Sequence, residues 1–175
     1  GVVYPSDYSL HNAEYVEIRP MTTREEDILT SQALLKKGTV ITELIKACLV
    51  DKTINPLDLI VGDRNSLMIA IRISGYGAEY DAEIKCDACD VVNQQKFDLT
   101  QLLINRLKIQ PVSAGVNEFS FDLPKTKYNC TFKFLTGRDE EEILLIQERQ
   151  RKQGMTSSNL ITSNLQHTIQ SVNGI

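Results

Sequence analysis

The chain has 175 residues, of which 42% are hydrophobic and 24% charged, a balance that excludes a disordered or fibrous polypeptide and allows one sizeable core. Its net charge of -4 argues against a nucleic-acid footprint. The most apolar run, residues 67–73, is interrupted by Arg72, well short of the ~20 apolar residues of a membrane span, and the first residues lack the basic-then-apolar order of a secretory signal.

Residues 1–20 hold one alternating run, Tyr15-Val16-Glu17-Ile18-Arg19, among Pro, Ser, Asp and Asn. They are predicted to form an extended arm with at most an edge strand, of which residues 1–12 make few contacts within their own chain and are ordered only in an assembly. Thr23, three residues before Glu26, predicts a capping box opening a helix. Acidic residues 25–27 sit at its positive end, Lys36 and Lys37 at its negative end, and Gly38 stops it. Thr39 opens a second helix with Ile41, Leu44, Ile45 and Cys48 on one face, followed by an Asn55-Pro56 turn. In Gly62-Asp63-Arg64-Asn65, Asp63 is predicted to N-cap a third helix and Arg64 to reach a neighbouring carboxylate. Residues 67–73 are apolar almost all round, so this is expected to be the central, most buried helix, ended by Gly75 and Gly77.

The pattern then changes to period two. Tyr80, Ala82, Ile84 and Cys86 alternate with Glu79, Asp81, Glu83 and Lys85, predicting a half-buried antiparallel strand. Cys86-Asp87-Ala88-Cys89 makes the turn, and residues 91–99 return as its partner. A second hairpin follows: Phe119, Phe121 and Leu123 on one strand, a turn at Pro124-Lys125-Thr126, and Tyr128, Cys130, Phe132 and Phe134 on the other. Residues 110–115 between the hairpins are expected to be a flexible joint.

Helix is predicted again after Thr136-Gly137, with residues 139–142 acidic at its start and Arg149, Arg151 and Lys152 before Gly154. Ser157 or Ser158 is expected to cap a last helix carrying Ile161, Leu165, Ile169 and Val172. The fold class is therefore α+β. The expected organisation is an arm at 1–20 and a single domain at 21–175, with a helical part at 21–77, a hairpin part at 78–135 and a second helical part at 136–175. The chain is expected to continue past Ile175.

Cys86-x-x-Cys89 is the constellation closest to chemistry. A tight hairpin turn aims two sulfurs at one point, as in a zinc knuckle, but a full site needs four ligands. Zinc or a zinc relic, chance turn cysteines and a redox pair are the open readings; a redox pair would show a depressed thiol pKa. Cys48 and Cys130 read as small core hydrophobes. Residues 139–142 read as a solvated first turn rather than a cation site. Gly75-Tyr76-Gly77 lacks the flanking strand and helix of a phosphate loop. His11 and His167 are isolated, so no nucleophile, base and orienter can be assembled and no enzymatic role is expected.

Six segments occur in a telling order: Pro20-Met21-Thr22-Thr23-Arg24-Glu25-Glu26-Asp27-Ile28-Leu29, Gly62-Asp63-Arg64-Asn65, Gly75-Tyr76-Gly77, Cys86-x-x-Cys89, Phe97-Asp98-Leu99, and Phe134-Leu135-Thr136-Gly137-Arg138-Asp139-Glu140-Glu141. The ordered set, from about Tyr15 onward, resembles the baseplate hub subunit family of T-even-related contractile-tailed phages, including versions carried by cyanobacterial phages. The resemblance implies a structural or assembly role in the virion's tail baseplate, put together in the host cytoplasm, with hub or wedge subunits as partners and several copies in the assembly. It implies no catalytic residues, and a second Cys-x-x-Cys beyond a point like Ile175. The rivals from other classes are a zinc-ribbon-like regulatory or nucleic-acid-associated module, opposed by the net charge, and a thiol redox protein.

Overall fold

The change from helical to alternating periodicity near Gly77 is where the chain passes from helices to strands. The computed structural model describes residues 1–104, 106–153 and 160–175. Helices α1 (Thr23–Thr30), α2 (Gln32–Lys37), α3 (Val40–Cys48) and α4 (Val61–Tyr76) precede strands β1 (Glu79–Lys85) and β2 (Val92–Asp98). Strands β3 (Phe119–Asp122) and β4 (Asn129–Phe132) follow, then α5 (Gly137–Lys152), α6 (Leu160–Thr168) and β5 (Ile169–Val172). The strands form two sheets, an antiparallel β1–β2 ribbon and a three-stranded sheet in the order β3-β4-β5. The fold is α+β, as its periodicity predicts.

The core is centred on α3. Its apolar stripe buries Leu44, Ile45 and Cys48, followed by Leu49, against Leu67 and Ile71 of α4 and Phe119 of β3. Phe119 is fully buried, with its ring centroid 5.5 Å from that of Phe132 and 4.8 Å from that of Phe134. Such aromatic pairs add about 0.5–1.5 kcal/mol beyond area burial. Helix α4 is less central than its composition suggests. Leu67 and Ile71 are buried, but Ile69 and Ile73 are only half-buried, because one face of the helix points away from α3.

The largest departure from expectation lies in the first twenty residues. Val3, Tyr4 and Leu10 are buried members of the main core. The Tyr4 hydroxyl donates to Asp63 Oδ2 at 2.7 Å and accepts from the Ile60 N–H at 3.1 Å. The Tyr8 hydroxyl accepts from the Asn55 N–H at 3.0 Å. Residues 1–12 therefore do not form a free arm. Their anchors follow neither helical nor strand spacing, since the segment winds through successive turns such as Tyr8 N–H to Pro5 O and His11 N–H to Tyr8 O. Among the described residues the alternating run forms one bridge, Ile18 to Leu49.

The joint expected at residues 110–115 is fastened to this same segment. The Gly115 N–H donates to Val2 O at 3.0 Å. Gly115 has φ +80°, and a Cβ there would meet Tyr4 O at 3.2 Å, so a side chain would be both strained and crowded.

Local corrections follow from side-chain geometry. The first helix is capped one residue early: Glu25 Oε2 accepts from the Thr22 N–H at 2.9 Å and hydroxyl at 2.7 Å. It also breaks at Ser31, giving α1 and α2 in place of one helix. Asp63 is not an N-cap; Ile60 holds that position, and Asp63 lies in the first turn of α4. Ile169 and Val172 belong to β5 rather than to the last helix. Their β-branched side chains suit the open edge of β4, where Thr131 and Ser171 hydroxyls meet at 2.8 Å. Gly154, Ser157 and Ser158 lie outside the described residues.

Candidate interaction surface and cysteine turn

The β1–β2 register pairs Tyr80 with Phe97, Ala82 with Gln95 and Ile84 with Asn93 on one face. Glu79 opposite Asp98, Asp81 opposite Lys96 and Glu83 opposite Gln94 occupy the other. The predicted apolar side is present, but it is not half-buried: Tyr80, Ile84 and Phe97 are exposed and only Ala82 is partly covered. Among the described residues the two strands have no second layer to pack on, and such a ribbon is marginal in water by itself. It is held at its base, where Arg72 of α4 donates to Gly77 O at 2.9 Å and Glu79 O at 3.2 Å. The same guanidinium lies 5.0 Å from the Tyr76 ring centroid.

Beyond the ribbon and a 3-10 turn at Leu99–Gln101, the chain exposes Leu102, Leu103, Ile104, Leu107, Ile109 and Val112. Leu103 is 96% and Ile104 82% exposed. Single exposed apolar residues are normal, but a run of this kind beside an uncovered sheet face marks a contact surface.

The cysteine turn stands at the far end of the ribbon. The Cys86 N–H donates to Val91 O and the Asp90 N–H to Cys86 O, both at 2.9 Å. Asp90 takes the left-handed conformation at φ +59°, which Asp tolerates better than most residues, and its carboxylate pairs with Lys85 at 2.7 Å. The peptide N–H groups of Ala88 and Cys89, then the Cys89 side chain, stabilise the Cys86 thiolate and lower its pKa. A lowered thiol is common to redox pairs and metal ligands; here it comes from the turn, with no helix N-terminus behind it. Cys86 is half-buried and Cys89 exposed, whereas Cys48 and Cys130 are buried in the body of the protein. Among the described residues, no group of three or more His, Cys, Asp or Glu side chains is placed to hold a metal ion.

Tyr4, His11, Arg64, Asp139 and His167 hold parts of the body together. Arg64 is buried and donates to Pro56 O at 2.9 Å, while its Nε lies 3.3 Å from Glu140, the neighbouring carboxylate its sequence context predicts. Asp139 is buried rather than solvated. Burial pushes its carboxyl up, but Lys133 at 2.7 Å and the Thr136 N–H and hydroxyl outweigh that and leave its pKa lowered. Tyr4 is raised by burial and by its bond to Asp63. His11 Nδ1 meets Tyr4 O at 2.6 Å, and His167 Nδ1 meets Ser163 O at 2.9 Å. A cleft of 610 Å³ is lined by residues including Tyr4, Tyr8, Ile60 and Arg138. Another, of 820 Å³, lies against Met68, Phe134, Leu144 and the Arg64–Glu140 pair. No described helix is long and apolar enough to cross a membrane.

Alternation predicts a ribbon with one apolar side that depends on partners, but not that this side stands exposed, and the apolar residues after it carry no such alternation to mark them as a surface. Residues 5–115 match the model of a family described as T4 bacteriophage base plate protein. No curated protein and no solved structure matches the chain.

Proposed function

The chain belongs to the T4 bacteriophage base plate protein family, and on that premise we propose that it is a structural or assembly component of the baseplate hub in a contractile tail. It acts through contacts with hub or wedge subunits, in several copies per virion, after assembly in the host cytoplasm. The observation that carries this reading is the uncovered apolar face of the β1–β2 ribbon, continued by the exposed Leu102, Leu103, Ile104, Leu107, Ile109 and Val112. At about 25 cal/mol per Å² of apolar surface removed from water, covering such a face favours association. Tyr4, Asp63, Asp139, His11 and His167 are engaged in structural bonds, which supports a non-enzymatic role.

A cryo-EM map of the phage tail and its assembly intermediates tests this reading. We expect the chain at the baseplate hub with a neighbouring subunit seated on Tyr80, Ile84 and Phe97. Its absence from both tails and intermediates would overturn the proposal. Hydrolase, kinase and peptidoglycan-lyase assays are expected to read blank; a turnover abolished by substitution at His167 or Asp63 would contradict the structural role.

A further inference from the structure

We propose that Cys86 and Cys89 form a preorganised thiolate half-site for zinc at the tip of the β1–β2 ribbon, completed by two donors from another polypeptide segment. The turn supplies what a zinc knuckle requires. The hairpin bonds between Cys86 and Val91 and between Asp90 and Cys86 fix the loop, and left-handed Asp90 turns the chain back into β2. Both cysteines therefore lie in one four-residue turn, and their thiols are free. Asp90, the carboxylate next to Cys89, is engaged by Lys85; Asp87 is the turn's other carboxylate, and two sulfurs in one turn favour a thiophilic ion over calcium or magnesium.

The half-site cannot be closed by the chain's other thiols. Cys48 lies in α3 and Cys130 in β4, each buried in the body of the protein. Structural zinc takes four ligands in a tetrahedron with Zn–S of about 2.3 Å. Two positions thus remain open toward solvent at the ribbon's exposed end. In a solution of this chain alone, a second copy's tip can supply both, so that one ion joins two ribbons. On binding, each thiol forms a metal–sulfur bond and releases its proton to solvent, four protons per bridged pair, with no change in oxidation state.

The experiment is a cobalt(II) titration of the reduced 175-residue chain, read by absorption and sedimentation, with zinc then added in competition. The expected result is a thiolate-to-cobalt charge-transfer band with tetrahedral ligand-field bands, rising until one cobalt is bound per two chains as a dimer forms, and bleached by zinc. Cys86→Ser and Cys89→Ser should each abolish the tetrahedral signal and the dimer while leaving circular dichroism unchanged, since both residues are outside the core. Cys48→Ala and Cys130→Ala should retain the signal wherever circular dichroism shows a folded chain. Absence of a charge-transfer band at every ratio would overturn the proposal. So would a band surviving either tip substitution, or binding of one octahedral cobalt per chain. A Cys86–Cys89 disulfide that forms equally fast with and without zinc would assign the pair to redox chemistry instead.

Discussion

The body around α3 and the ribbon of β1 and β2 obey the same hydrophobic patterning and meet opposite fates. In the body, Ile45, Leu49 and Phe119 are shut away from water by helices, by the N-terminal segment and by the β3–β4 hairpin. In the ribbon, Tyr80, Ile84 and Phe97 line up as regularly but face solvent. The difference is a second layer: the body supplies its own, and the ribbon has none among the described residues. Apolar periodicity thus identifies which side a strand can bury, while the number of packed layers decides whether one chain can bury it.

The contrast can be broken or sharpened by substitution. Phe119→Ala removes the ring on which Phe132 and Phe134 pack and should cost about 3–5 kcal/mol, measured by urea denaturation. A cost below about 1 kcal/mol would mean that the body is not organised around it. Gly137→Ala places a Cβ against Arg64 Nη1 and 2.9 Å from Pro56 O. Displacing that buried guanidinium should cost about 1–3 kcal/mol, read as a lower denaturation midpoint.

Glu25 gives the body an acid-sensitive element. Arg19 at 2.6 Å, then the Thr22 hydroxyl and N–H, hold its carboxyl at about 2 rather than its ordinary 4.5. The charged form is favoured in the folded state, so its stabilisation is fully present above about pH 4.5 and is lost as pH falls through about 2. Glu25→Gln should flatten that part of the stability–pH curve; an unchanged acid limb would refute the assignment. The smallest effect on folding belongs to the ribbon. Phe97→Ser should alter the stability of the isolated chain by no more than about 0.5 kcal/mol, while lowering its incorporation into tails in a complementation assay. A large loss of stability would show that the ribbon face serves the chain's own fold.

Much of this was legible in sequence. The α+β order, the amphipathic stripe of α3, both hairpin turns and the cysteine turn follow from periodicity and turn chemistry. Three things were not. Tyr4 and Tyr8 are anchored by hydrogen bonds to residues more than forty positions away, Val3 and Leu10 join the same core, and a segment of irregular turns carries no period. Ile169 and Val172 continue a helical spacing on paper but complete the edge of β4, a tertiary demand that overrides local propensity. Asp139 reads as one of four surface acids, yet the nearby Lys133 and the cap formed by Thr136 draw it inward. The cysteine pair was visible from spacing alone; the left-handed Asp90 and the locked loop required coordinates.

The fastening of Tyr4 to Ile60 and Asp63, and of Val2 to Gly115, has a consequence during synthesis. Residues 2–10 leave the ribosome well before the partners that bury them. The body cannot close until the chain has been made through Gly115 and Phe119, so the nascent chain passes through a stage in which α3 is complete but its apolar stripe lacks two of its covers. Long-range closure of this kind slows folding and prolongs exposure of apolar surface. Early termination between α4 and β3 should therefore yield a fragment that depends on chaperones or degrades.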